Sequence, residues 1–478
     1  MKLSALLPEV EAVGGFEADV EITSVTDDTC RVTPGCAFVC IKGRSSDWRG
    51  NARRAVSGGA SVLIAEEDCG LAKTIVVRDA RRAYALMCAA LCGNCHRGLR
   101  MIGITGTNGK TTTACLLRAA LEASGVPTGL IGTVGVDAGG RFYPAELTTP
   151  DPSDLHRYLR SMADSGCEAC VMEVSSQALD GKRVCGIDFE CGIFTNISPE
   201  HLDYHGTMEN YALAKSALMR SSAAAVINAD DEYAELMRSA AKNRSYFYSV
   251  GGESYYKAEN VKLGENGAEF DFCAGDEVYR AGCLTPGMFS VRNALAALSA
   301  AHTLGADMPK AVGAVAAFSG IPGRMERVRN DFGLNIIIDF AHTPASLENA
   351  LMTLRQTCRG RLITVFGCGG DRDRKKRPLM CEAALRYSDK VFVTSDNPRT
   401  EDPEAIIADI TRGVSDNRVF RISDRTAAIR SALYSARQGD TVLIAGKGHE
   451  KYQIIGVQKI HYDEREIIRK LLEDKARF

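Results

Sequence analysis

For most of its length the chain reads as short apolar runs separated by amphipathic stretches, with polar or glycine-rich breaks between them. Runs at 22–25, 36–41, 60–65 and 74–77 predict a first group of strands, and Asp79 is placed to cap a helix over 80–91. Runs at 102–104, 128–132, 169–173, 191–195 and 226–228 predict a second group. Helical patterns follow several of these strands, one through Ala114, Leu116, Leu117 and Ala120, another through Leu155, Tyr158, Leu159 and Met162. Residues 250–285 switch to hairpin alternation, and 287–293 open an alanine-rich helix. Beyond a Gly/Pro-containing link at 318–328, strands at 335–339, 362–366, 390–394 and 441–445 alternate with helices in the manner of an open parallel sheet. The opening residues, MKLSALLPEVEAV, read as a short amphipathic helix.

The fold class is therefore α/β with three domains: a small α/β unit over 1–96, a central P-loop parallel-sheet unit over 97–325, and a Rossmann-like unit over 326–478. The length of 478 residues agrees with this, at roughly 150 residues per domain. Charge is balanced, 58 basic residues against 60 acidic, so nothing points to nucleic acid or to an anionic membrane. No apolar run is long enough to span a bilayer. The acidic, interrupted N-terminus does not resemble a signal peptide, and a soluble cytoplasmic protein is expected.

The stretch 103–113, GITGTNGKTTT, carries the strongest chemical signal. An apolar strand, a glycine-punctuated turn and a helix are what a phosphate cradle requires: Gly106 and Gly109 let backbone amides approach an anion, and the helix N-terminus adds partial positive charge. Lys110 can reach outer phosphates and the Thr111 hydroxyl can ligate Mg²⁺. The strict P-loop spacing is not met, since Ile104 stands five residues before Gly109. Glu173 ends an apolar strand, where P-loop folds place a second metal-directed group. His201, Asp203 and His205 cluster just past another strand end, which favours a metal or phosphate role. Lys215, on an otherwise small apolar helix face, reads by spacing as a snorkelling surface residue.

The seventeen cysteines offer other chemistries. Cys92-Gly-Asn-Cys95-His96 spells a haem-attachment pattern, and Cys167-Glu-Ala-Cys170 is a second C-x-x-C pair. Haem attachment needs an exported chain, and a zinc site would need both pairs to converge across the P-loop strand and helix. Most of the others lie among Ala, Val, Ile and Gly, so reduced structural thiols are expected.

Taken together, TGTNGKTTT, TTPDP, EVSSQAL, HLDYHG with Lys215 beyond it, DFAHTP, GGDRDRKKRP, DNPRTEDP and GKGHE resemble the Mur ligase family over essentially the whole chain. The resemblance implies ATP-dependent amide ligation, in which a carboxylate of a UDP-N-acetylmuramoyl-peptide is phosphorylated and the acyl phosphate is attacked by an incoming amine. On that resemblance Gly106, Thr107, Asn108, Gly109, Lys110, Thr111 and Thr112 hold the ATP phosphates and one Mg²⁺. Thr111, Glu173, His201 and Lys215 are the metal positions, with Lys215 carbamylated, and Lys110, Glu173, His201 and Lys215 are catalytic. Asn293, Arg324, Asp339 and His342 face the nucleotide. Thr29, Arg44, Ser45 and Ser46 lie at the uridine end, while Thr148, Thr149, Ser175, Gly181 and Arg183 face the muramoyl-peptide. Arg372, Asp396, Asn397, Pro398, Arg399, Gly446 and Glu450 form the incoming amino-acid pocket.

The DNPR form of that loop resembles the version in meso-diaminopimelate-adding members, and the chemistry agrees, since Arg399 can grip the distal carboxylate that lysine lacks. A lysine-adding member or a folylpolyglutamate-type synthetase are the alternatives within the fold. A P-loop nucleotide switch is the alternative outside it, and its guanine-specifying N-K-x-D is not found. A monomer acting on small molecules is expected, with no nucleic-acid partner and no membrane insertion.

Overall fold

The computed structural model describes residues 1–13, 19–43, 47–71, 73–264 and 267–476. Its internal contacts divide the chain into two compact units, one of Met1–Glu259, Asp271–Ala281 and Arg292–Val315, the other of Asn260–Phe270, Gly282–Val291 and Ala316–Phe478.

The first unit begins with a four-stranded parallel sheet in the order β1 (Ser24–Thr26), β2 (Cys36–Val39), β3 (Val62–Ala65), β4 (Thr74–Val76). The helix Ala80–Leu91 packs on it, capped as expected by Asp79, whose carboxylate accepts from Arg82 N at 2.9 Å. The amphipathic helix expected at the N-terminus is reduced to one 3₁₀ turn, Leu3–Ala5. Pro8 has no N–H to donate and disfavours helical geometry at Leu7. The apolar pattern is nonetheless used: Leu3, Leu6, Leu7 and Val10 are buried in the core of this sheet.

A second sheet follows in the same unit. Its strands are β5 (Arg100–Thr105), β6 (Thr128–Gly132), β7 (Gly135–Asp137), β8 (Phe142–Tyr143), β9 (Ala169–Glu173), β10 (Phe189–Phe194), β11 (Ser222–Asn228) and β12 (Arg244–Ser249). They lie in the order β12-β11-β10-β5-β9-β6-β7-β8, parallel from β12 to β6. Register sets Thr105 beside Phe194, and Ile104 beside Glu173. The carboxyl ends of three neighbouring strands therefore open side by side, where open parallel sheets bind ligands. The strands expected at 128–132 and 169–173 coincide with β6 and β9. The hairpin alternation forms β13 (Tyr256–Gly264), β14 (Gly267–Ala274) and β15 (Glu277–Cys283), whose residues divide between the two units.

The second unit holds a sheet in the order β16 (Glu326–Val328), β17 (Asn335–Asp339), β21 (Thr441–Ala445), β18 (Leu362–Phe366), β19 (Lys390–Val393), β20 (Val419–Arg421). β16 is antiparallel, and the other strands run parallel. Two separate apolar cores form. One takes Leu347, Leu351, Met380 and Ile407 from three helices, and the other takes Ile429, Leu433, Ile468 and Leu471 from two. This is a sheet covered by helices on both faces, as buried runs such as LITVF and TVLIA require. A small hairpin, β22 (Tyr452–Ile455) with β23 (Gln458–His461), follows the loop after β21. Among the described residues no helix is long and apolar enough to cross a membrane.

Candidate active site

The loop after β5 is built from backbone closeness. A side chain on Gly106, at φ +152°, would collide with the Thr195 hydroxyl, and one on Gly109, at φ +85°, would collide with the Asn293 amide from the helix Met288–Thr303. Thr107 N and Asn108 N donate to Asn196 O and Asn196 Oδ1 at 2.7 and 3.0 Å, and Thr195 Oγ1 donates to Asn108 O at 2.7 Å. Thr107 Oγ1 lies 3.1 Å from the Tyr211 hydroxyl. The helix Lys110–Ala123 then starts from Gly109, which has no side chain to cap it, and its first amides face the loop. Thr112 is half-buried on its first turn.

Two lysines meet over this loop. Lys110 Nζ donates to the carbonyl oxygens of Gly106 and Thr107 at 2.8 and 2.9 Å. Lys215 Nζ also donates to Gly106 O, at 2.9 Å, and lies 4.5 Å from the Tyr211 ring centre. The surface position expected of Lys215 is not what the structure shows, because the residue is 1% exposed. Its ammonium reaches a carbonyl 109 positions away instead of solvent. Burial, and secondarily the nearby Lys110 charge, hold its pKa well below that of an ordinary lysine.

Glu173, at the end of β9, is 1% exposed. Its Oε2 accepts from Thr111 Oγ1 at 3.0 Å and Thr133 Oγ1 at 3.3 Å, and its Oε1 accepts from Thr133 N at 2.8 Å. Gly132 makes room for it, since a Cβ there would strike Oε1. The structure thus joins Thr111 to Glu173 directly, and Lys110 to Lys215 through Gly106. His201 does not join them. It is exposed in a left-handed conformation (φ +55°), 4.0 Å from the Glu200 carboxylate, with its ring centre 6.3 Å from that of Tyr211. The expected shared role of His201, Asp203 and His205 separates likewise, because His205 is buried and its Nε2 bonds the Ser176 hydroxyl at 3.0 Å. Among the described residues no three His, Cys, Asp or Glu side chains come close enough to hold a metal ion by themselves. Cys92, Cys95, Cys167 and Cys170 are free thiols, as are the other cysteines.

The TTPDP and EVSSQAL segments are stitched together. Thr149 is fully buried, its hydroxyl donating to Glu173 O at 2.8 Å and accepting from Ser175 N at 3.0 Å. Arg183 donates to Thr149 O at 3.0 Å and pairs with Asp151 at 2.9 Å. Thr148 and Thr133 hydroxyls are 3.1 Å apart. Ser175 caps the helix Ser176–Asp180, and Gly181 ends it where a Cβ would press on Gln177 O at 2.8 Å. Thr29 is half-buried in a 3₁₀ turn after the Asp28 cap. Arg44, Ser45 and Ser46 lie outside the described residues.

In the second unit Asp339 ends β17 and accepts from Met325 N at 2.7 Å and Ala341 N at 2.8 Å. Burial raises its pKa, opposed by Arg324. The Arg324 guanidinium lies 4.8 Å from the Phe340 ring centre, and its buried Nε has no partner among the described residues. His342 is exposed, with Nδ1 2.9 Å from Phe340 O. The link before Arg324 crosses the loop after β21 backbone to backbone: a Cβ on Gly323 would collide with Gly448 and His449, and one on Gly448 would stand 2.7 Å from Gly323 O.

The remaining loops converge after β18, β19 and β21. Arg399, at φ +52°, donates to Gly370 O at 2.9 Å, and Gly369 lies against both Arg399 and the stem of Arg372. The Pro398 carbonyl packs so tightly on Gly370 that no side chain fits there. Asp396 faces Gly446, and its buried Oδ2 has no partner among the described residues. Asn397 Nδ2 donates to Glu450 Oε2 at 2.9 Å. Three groups here escaped the sequence reading. Arg377, fully buried, donates to both oxygens of Glu401, at 2.9 and 3.0 Å, and to Asp409 at 2.9 Å. Arg425 pairs with Glu464 at 2.7 Å and donates to Ala445 O at 2.8 Å. Lys447, fully buried, donates to Asn397 Oδ1 at 3.0 Å and Glu450 Oε2 at 3.1 Å. For Lys447 the available signal was a cation just past a buried strand, where polar site residues gather; Arg377 and Arg425, both in helices, carried no such signal.

Residues 104–301 match the family model described as the Mur ligase middle domain, and residues 323–448 match the Mur ligase, glutamate ligase domain. The UDP-N-acetylmuramoyl-L-alanyl-D-glutamate–2,6-diaminopimelate ligase of Geobacillus thermodenitrificans is 41% identical, the match covering 99% of this chain and 100% of that protein. The protein of the same name from Clostridium botulinum is 39% identical, with the same coverage of both chains. A solved structure of a UDP-N-acetylmuramoyl-L-alanyl-D-glutamate–2,6-diaminopimelate ligase superposes with a TM-score of 0.71 at 34% identity, covering 100% of this chain and 99% of that one. MurF from Acinetobacter baumannii, 18% identical, shares the fold with a TM-score of 0.65 over 98% of each chain.

Proposed function

The chain belongs to the Mur ligase family, and from that membership and its site geometry we propose that it is an ATP-dependent ligase. It joins meso-diaminopimelate to the D-Glu γ-carboxylate of UDP-N-acetylmuramoyl-L-Ala-D-Glu, a step of peptidoglycan precursor synthesis. The observation that carries the reading is the buried Thr111–Glu173 pair beside a phosphate-type loop on which two lysines converge. In the proposed division, residues 1–96 hold the uridine end, 97–325 the ATP, and 326–478 the amino acid.

The reaction asks the protein for position and charge more than for covalent chemistry. A γ-carboxylate oxygen attacks the γ-phosphorus of ATP, the bond to the β-phosphate breaks, and ADP leaves. The free amine of diaminopimelate then attacks the acyl carbon, loses a proton and expels phosphate. Loop amides at Gly106–Gly109 and the Lys110 ammonium stabilise the phosphate charge, and Thr149, Ser175 and Arg183 orient the peptide. Glu173 is surrounded by uncharged donors, so a cation fits beside it. Mg²⁺ held by Thr111, Glu173, His201 and Lys215 would neutralise the transferring phosphoryl group. The depressed basicity of Lys215 keeps a fraction of free amine, the form that adds CO₂ and releases a proton to become a carbamate ligand. His201 enters this set through the family resemblance alone. Asn293, Arg324, Asp339 and His342 are assigned to the nucleotide, Thr29, Arg44, Ser45 and Ser46 to the uridine end. A cytoplasmic location, where ATP is supplied, is part of the proposal, as is a monomeric state.

Arg399 and Arg372 flank Gly369 where a distal carboxylate would enter, and Glu450 with Asp396 answers the ammonium groups. A site built to bond a group rejects the analogue lacking it by on the order of 10⁴. The test is ADP release with UDP-N-acetylmuramoyl-L-Ala-D-Glu and either meso-diaminopimelate or L-lysine. Turnover with diaminopimelate, reduced about 100-fold or more in Arg399→Ala, is the expected result. Preference for lysine would overturn the amino-acid assignment, and no ADP with either would overturn the ligase.

A further inference from the structure

The turn after β21 brings two opposite charges together. Glu450 N donates to Lys447 O at 3.0 Å, so Lys447-Gly-His-Glu450 closes as a tight turn with Gly448 at φ +56°. The turn sets Lys447 and Glu450 side by side, and Asn397 from the loop after β19 completes a triangle. Lys447 donates to Asn397 Oδ1 and Glu450 Oε2, and Asn397 Nδ2 donates to the same Glu450 oxygen.

An ammonium only donates, so it dictates which end of the Asn397 amide faces it. Oδ1 turns to Lys447 and also accepts from Ile454 N at 2.9 Å. Nδ2 is thereby left to face Glu450. Glu450 Oε2 is doubly committed, while Oε1 has no partner among the described residues and remains the acceptor for a ligand ammonium. Lys447 is itself fully buried, with the Tyr452 ring centre 5.7 Å from its Nζ. It is too enclosed to serve as a solvent-facing grip.

We propose that Lys447 is a positioning residue for amino-acid recognition: it fixes the Asn397 amide and turns one oxygen of Glu450 toward the incoming diamino acid. The inference rests on the function proposed above and deepens its amino-acid site.

The experiment measures KM for diaminopimelate, ATP and the UDP-peptide, together with kcat and melting temperature, in the full-length enzyme. The variants are Lys447→Met, Glu450→Gln and the double. Lys447→Met is expected to raise KM for diaminopimelate roughly 10- to 100-fold, with kcat and the other two KM values within about threefold. Because Lys447 acts through Glu450, the double is expected to be little worse than Glu450→Gln alone. Equal rises in all three KM values, or fully multiplicative effects, would mark a structural role and overturn the proposal. If Lys447→Met fails to fold, the double, which removes both buried charges, is compared with Glu450→Gln by the same criterion. A wild-type enzyme that prefers lysine shifts the KM readout to lysine and leaves this inference standing while the diaminopimelate assignment falls. No turnover with any amino acid overturns both.

Discussion

Lys110 and Lys215 donate to one acceptor, the Gly106 carbonyl oxygen, at 2.8 and 2.9 Å. Their nitrogens therefore lie within about 6 Å of each other, where two positive charges repel by about 3 kcal/mol at an effective dielectric of ~20. Lys110 sits at the mouth of the phosphate loop, whereas Lys215 is buried, and burial first and this repulsion second lower its pKa.

Lys215→Met is expected to abolish ligation while raising the melting temperature near neutral pH. The unfolded lysine titrates at its ordinary value and the folded one well below it, so the unfolded state binds more protons between the two. Wild-type stability therefore rises with pH across that window, by about 1.4 kcal/mol per pH unit for one proton. The methionine variant lacks this slope. Denaturant unfolding at several pH values from 7 to 10 measures it, and parallel curves for the two proteins would contradict the lowered basicity of the buried amine.

Glu173→Gln keeps the shape and the acceptor for the Thr111 and Thr133 hydroxyls, but it removes the charge and sets an NH₂ in place of the oxygen that accepts from Thr133 N. The fold should persist, kcat/KM should fall by at least about 100-fold, and half-maximal activity should require at least ten times more free Mg²⁺. Initial rates against Mg²⁺ concentration decide it, and an unchanged Mg²⁺ dependence would remove Glu173 from the metal set.

Much of the fold was legible because strands such as TGLIG, ACVME, NIIID, LITVF and TVLIA are apolar runs bounded by polar or glycine-rich turns, a local signal. The phosphate loop was legible for the same reason. Lys215 was not, because amphipathic logic sends a lone lysine to water and its acceptor is 109 residues away. His205 looked like a partner of His201 by spacing, yet its nitrogen turns to Ser176 on a different segment. The N-terminal stretch was read as an amphipathic helix; its apolar residues are buried, but Pro8 denied them the helix. Long-range polar ties such as Lys447 to Asn397 have no periodicity to betray them.

His156 is 1% exposed, and burial with the adjacent His96 brings its pKa down to about 3. The two ring centres are 5.3 Å apart. The unfolded histidine takes up a proton below about 6.5 while the folded one stays neutral until about pH 3. Stability contributed here is present above pH 6.5 and is lost as pH falls through that window. Relative to pH 7.5, His156→Phe should retain about 2 kcal/mol more than wild type at pH 5. Paired urea titrations at the two pH values test this, and equal losses would refute it.

Gly106→Ala drives a methyl into the Thr195 hydroxyl. A loss of about 1–3 kcal/mol in stability is expected, together with weakened ATP binding by calorimetry. Adding Thr195→Ala should recover part of the stability. A Gly106→Ala protein as stable as wild type would contradict the close approach.

The backbone crossing of Gly323 and Gly448 has a mechanical meaning. No side chain lies between the two segments to compress or swing aside, and close-packed backbone transmits a displacement rather than absorbing it. One segment leads into Arg324, assigned to the nucleotide, and the other carries Lys447 and Glu450, assigned to the diamino acid. A displacement of one segment is therefore expected to reach the other, and any coupling it creates between nucleotide and diamino-acid affinity must be the same factor in both directions.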